Sequence, residues 1–119
     1  MMTQYSRVHL QPTVDNPEAV PFYFDLVLDG EGHIVGRHAV FGLRGDFHRR
    51  NEAFDPCVLH PDGQLDFGMG YESDPGRRYS STDLLRHRIG SGEKISVVSG
   101  EVVATYRVAR VIALPAHRT

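Results

Sequence analysis

The sequence predicts an all-β protein: a small antiparallel barrel or sandwich of about six to seven strands in three hairpins, with one short helix. Three observations carry that expectation. In the last third, a β-branched run (Ile95, Val97, Val98) meets Ser99-Gly100 and resumes as Val102, Val103, Thr105, Val108, Val111 and Ile112, the pattern of a β-hairpin. The same alternation, broken by glycine-containing turns, recurs twice upstream. A helix-start signal occurs at one place only.

In chain order, Val8 and Leu10 share one face of residues 5–11 while Arg7 and His9 share the other, a short strand that Pro12 ends. Residues 13–21, with Asp15, Asn16, Pro17 and Pro21, read as a loop. From Phe22 the alternation is clean, with Phe22, Phe24, Leu26 and Leu28 against Tyr23, Asp25, Val27 and Asp29. Asp29-Gly30-Glu31-Gly32 turns the chain. Residues 33–41 read as the returning strand, apolar on both faces, with Gly36 marking a bulge or barrel corner.

The arginine-rich stretch 42–52 reads as a long connection. Residues 54–60 and 64–71 read as the second hairpin around Pro61-Asp62-Gly63, and Gly68 and Gly70 suggest close approach by another backbone. Residues 73–78 read as a turn. Ser80-Ser81-Thr82-Asp83 offers side chains to cap a short helix near residues 82–88, which Gly90 ends. The third hairpin spans residues 95–114, and its apolar phase changes near Arg110, which calls for a bulge in a long bent strand. The phase within each strand predicts a core of Phe22, Phe24, Leu26, Leu28, Leu65, Phe67, Ile95, Val97, Tyr106 and Val108.

Length and composition fit one domain over residues 1–119, large enough to bury a core without disulfides. An apolar fraction of 40% and a charged fraction of 24% argue against disordered and membrane classes. No apolar run approaches the roughly 18 residues of a membrane helix. The first residues lack the apolar segment of a secretory signal, and Cys57 is the lone cysteine, so a soluble, cytoplasmic protein is expected.

The motifs of familiar chemistry are absent. Residues 29–34 resemble part of a calcium loop, but Val27 and His38 stand where its first and last ligands belong. The seven histidines show no zinc spacing, so no metal is assigned. Neither a nucleophile elbow nor a phosphate-binding glycine motif occurs, so no cofactor is assigned. Cys57 and His60, three apart on a strand, face opposite sides.

What remains is arginine. The net charge of −2 argues against a dedicated nucleic-acid binder, yet Lys94 is the sole lysine among 13 basic residues. Arg49 and Arg50 lie in one connection, and Arg77, Arg78, Arg86 and Arg88 lie around another. Were the two to converge, these six would form a rim for an anionic ligand or an acidic protein partner. The expected function is a non-catalytic binding or interaction module that forms a homo-oligomer, because hairpin edges need covering. The alternatives are an enzyme with His38, His60, Asp66 and neighbouring arginines in the barrel mouth, or a nucleic-acid-binding barrel using the arginine loops.

Overall fold

Eight strands form one closed antiparallel barrel in which each strand pairs with the next and the last returns to the first. The computed structural model describes residues 3–14, 20–45, 54–69 and 77–115, with Met69, Arg77 and Arg78 described by backbone alone. The strands are β1 (Thr3–Pro12), β2 (Phe22–Asp29), β3 (Val40–Arg44), β4 (Asp55–Leu59), β5 (Gln64–Met69), β6 (Arg77–Thr82), β7 (Lys94–Ser99) and β8 (Val102–Ala113). Closure comes from β1 against β8, from Pro12 opposite Tyr106 to Ser6 opposite Ala113. A closed ladder has no free edge, so the uncovered edges from which self-association was expected do not exist here.

Strand alternation builds the core. All ten residues of the predicted core are buried, joined by Val8, Leu10, Val40, Cys57, Leu59, Leu84 and Ile89. Phe22 is the hub: it stacks on Phe24 at 5.7 Å and meets Tyr106 edge-on at 5.3 Å between ring centroids. These contacts fill the interior with side chains, as an eight-stranded barrel of this width allows. Charged residues such as Arg7, Asp25 and Arg107 face outward, the reverse of the sidedness of a barrel that lies in lipid. Among the described residues no helix is long and apolar enough to cross a membrane.

Two strands depart from expectation. The strand after the first turn is Val40–Arg44, not residues 33–41; residues 30–39 form a connection that meets the end of β2 at the Leu28–Ile34 bridge, with Asp29 N–H donating to His33 O at 2.9 Å and Val35 N–H to Val27 O at 2.8 Å. The register is set by Phe24 opposite Gly42. A Cβ on Gly42 would lie 2.5 Å from the Phe24 ring, so only glycine leaves room for that ring inside the barrel. The second departure is β6, which read as a turn and a helix start. Its inward positions Ser80 and Thr82 lie opposite Leu65 and Val97, so it contributes polar residues where an apolar period is the usual signal. Hydrogen bonds hold it instead: Thr82 N–H donates to Gly63 O and Thr82 Oγ1 to Ser96 O.

The bulges sort in the same way. On β8 the partner of His9 is Arg110 and that of Leu10 is Val108, so Ala109 is the extra residue where the apolar phase changes. On β5 the register shifts between Asp66 and Met69, and Gly68 has φ +82. Gly68 serves this bulge, and no described atom lies within 4 Å of a Cβ built on it; Gly70 lies outside the described residues. The expected helix shrinks to one 3-10 turn, Leu84–Arg86. Asp83 does not cap it, because its carboxylate accepts Ser96 N–H on β7 at 2.8 Å.

Alternating strand direction gives the barrel two ends. The upper rim carries the β1–β2, β3–β4, β5–β6 and β7–β8 connections, and the lower rim carries β2–β3, β4–β5 and β6–β7. Arg44 sits at the upper rim over the Phe67 ring, 4.4 Å from its centroid, and pairs with Asp55 at 2.5 Å. Leu84, fully buried, and Ile89 close the lower end from the β6–β7 connection.

Candidate functional site

Strand direction separates the six arginines named from the sequence. Arg77 and Arg78 begin β6 at the upper rim, while Arg86 and Arg88 follow its end at the lower rim. Arg49 and Arg50 lie outside the described residues, between Arg44 and Asp55, whose strands end and begin at the upper rim. A single rim holding all six is therefore ruled out by the topology, because one strand intervenes between Arg78 and Arg86.

At the lower rim three connections meet around an open pocket of about 500 Å³. Its inner surface is apolar: Leu26 and Val40 belong to the core, and half-buried Ile34, Val35 and Leu85 extend it outward. Its mouth is polar and exposed, with Arg37, His38, Asp62 and Arg86. The β2–β3 connection is tied down just before the residues that line the pocket. Asp29 Oδ1 accepts the N–H groups of Glu31 and His33, and Gly32 O accepts Ile89 N–H at 2.8 Å. Gly36, at φ +95, lets the His38 ring lie against the backbone, since a Cβ there would be 2.9 Å from Nδ1.

The cations at this mouth, Arg37 and Arg86, share with Lys94, Arg107 and Arg110 the lack of an ion pair with any described residue, unlike Arg7 and Arg44. Arg7 is held by Asp25 at 2.8 Å and Arg44 by Asp55. Among the described residues Asp62 is the one carboxylate lining the pocket, and its Oδ1 is occupied by Gln64 N–H at 2.9 Å. Arg88 turns away to a second, shallower depression lined also by Asp29, Glu31 and Glu93, where its Nε donates to Glu31 O.

Beside the pocket, His87 is clamped between two carboxylates. Its Nε2 lies 2.9 Å from Asp83 Oδ2 and its Nδ1 2.9 Å from Glu93 Oε1. These bonds hold the imidazolium and raise the His87 pKa above its ordinary value. Burial works against the Asp83 carboxylate, but hydrogen bonds from His87 and Ser96 N–H outweigh it and lower that pKa. With both ring nitrogens taken, His87 acts as a latch joining the start of the β6–β7 connection to its end.

That latch carries a pH dependence. Because the folded His87 pKa is raised, its contribution to stability is complete below the unfolded value of about 6.5 and is lost as pH climbs through the folded value. The lowered Asp83 pKa adds stability above about 3.9 that disappears as pH falls through its folded value. The melting-temperature gap between wild type and His87→Gln should therefore be widest between about pH 4 and 6.5 and close at alkaline pH. A gap independent of pH would contradict the clamp.

The groups proposed for catalysis do not assemble in the mouth. Asp66 is on the outer wall of β5, since its neighbours Leu65 and Phe67 point inward, and it meets His60 there at 3.9 Å; only His38 lines the pocket. Cys57 is buried in the core, and burial pushes its thiol up to about 12, which removes the thiolate a nucleophile requires. Among the described residues no group of three His, Cys, Asp or Glu side chains is placed to hold a metal ion.

A scan against protein-family models, a search of curated proteins and a search of solved structures each return no match to this chain.

Proposed function

We propose that the protein is a non-catalytic binding module whose ligand site is the lower-rim pocket. The carrying observation is the pocket itself: about 500 Å³, apolar within, with two arginines at its mouth that no described carboxylate occupies. That volume falls in the range of small-molecule sites, which are mostly apolar with a few converging polar groups. The packed interior supports an end site over a lumen site, because Phe22, Phe24, Phe67 and Tyr106 already occupy the space a ligand would need. The non-catalytic part of the reading is supported by the buried Cys57 thiol and by the outward placement of Asp66 and His60, away from His38 at the mouth. Self-association has no part in this reading. A reducing, cytoplasmic setting is retained on the strength of the lone buried thiol.

Titration calorimetry with octanoate, 4-phenylbutyrate and their neutral amides tests it. Wild type is expected to bind at least one probe in the micromolar range, and Val35→Trp, which fills the pocket from its exposed side, to bind none at an unchanged melting temperature. Binding that survives Val35→Trp would move the site elsewhere.

A further inference from the structure

We infer that the lower-rim pocket selects a small carboxylate monoanion attached to an apolar body; this rests on the binding-module reading and specifies its ligand. The pocket contributes charge and shape separately. Arg37 and Arg86 bring two positive charges to the mouth and Asp62 returns one negative charge, leaving one cation to be balanced. A carboxylate completes that balance, whereas a phosphate dianion would exceed it. A guanidinium fork matches the planar, two-oxygen edge of a carboxylate, and charge-assisted bonds of this kind are about twice as strong as neutral ones.

His38, lying against Gly36 at the same mouth, adds a ring nitrogen within the pocket lining. Below the mouth, Ile34, Val35, Leu85 and Leu26 offer no polar side chain, so the part of the ligand behind its carboxylate must be apolar. The neighbouring depression shows the contrast: Asp29, Glu31 and Glu93 line it, and its arginine already donates to Glu31 O. Anion selectivity therefore belongs to one side of the lower rim only.

The test compares 4-phenylbutyrate with 4-phenylbutyramide, which share a body and differ in charge, by calorimetry on the intact chain. Wild type should bind the carboxylate at least about tenfold more tightly than the amide, and added salt should weaken only the carboxylate. The Arg37→Gln/Arg86→Gln variant should bind the two alike. Asp62→Asn, which keeps the oxygen that accepts Gln64 N–H, should bind the carboxylate severalfold more tightly than wild type. Equal affinity of wild type for both probes would overturn the anion inference while leaving the pocket reading standing. Absence of binding by both would overturn the two together. A loss of amide binding in the double-arginine variant would show that the arginines shape the pocket without selecting charge, which also overturns the inference.

Discussion

Phe24→Ala is expected to destabilise the protein by about 3 to 5 kcal/mol, the range for removing a buried phenyl ring. Phe24 is 1% exposed, stacks on Phe22, and stands in the barrel wall between Val8 on β1 and Gly42 on β3. Neither neighbour can refill the space: Gly42 has no side chain, and Val8 is fixed by its own pairing with Val111. The cost is a large share of the roughly 5 to 15 kcal/mol that holds such a domain together. Urea unfolding should show a lower midpoint at an unchanged slope. A loss within about 0.5 kcal/mol, the range of surface substitutions, would mean that the strand faces the other way.

Gly42→Val should be comparably damaging for the opposite reason. Its Cβ would sit 2.5 Å from the Phe24 ring and 3.1 Å from Cys57 Sγ, and the ring is already boxed by Phe22. Overpacking of this kind costs about 1 to 3 kcal/mol, and a branched side chain against an immobile ring belongs at the upper end. The two changes should also couple. With Phe24 reduced to alanine, the valine has space, so the double variant should lose clearly less stability than the sum of the single losses. Strict additivity would show that the ring and the glycine do not share that space.

The core was legible because one face of each apolar strand keeps its phase. Phe22 to Leu28, Leu65 with Phe67, Ile95 with Val97, and Tyr106 with Val108 all point inward. The bulge at Ala109 was legible for the same reason, since an extra residue shifts the apolar phase. Residues 33–41 misled because a hydrophobic run does not set register; the fit of the Phe24 ring over Gly42 does, and it moves the paired segment to Val40–Arg44. β6 was invisible because Ser80 and Thr82 face inward and its stability comes from hydrogen bonds to Gly63 and Ser96.

Missing that one strand had a consequence for the site. Each strand reverses the chain, so omitting β6 placed Arg77, Arg78, Arg86 and Arg88 around one connection when they stand at opposite ends. Arg86 and His38 were named from the sequence, and both line the pocket. Arg37 was passed over because it stands alone in the sequence, outside the two arginine-rich connections. The clamp of His87 by Asp83 and Glu93 was hidden behind a capping role for Asp83, although the four-residue spacing from Asp83 to His87 was on view.

The central claim is that small ligands are held at the lower rim and not within the barrel or at its upper end. The direct measurement is a backbone amide shift map of the labelled protein titrated with 4-phenylbutyrate. The largest shifts should fall on Val27, Ile34 to His38, Asp62, Leu85 and Arg86, with Val102 and Val103 at the opposite end unmoved. Shifts centred on Arg44, Asp55 and the start of β6, or spread along the inward-facing residues of all eight strands, would contradict it.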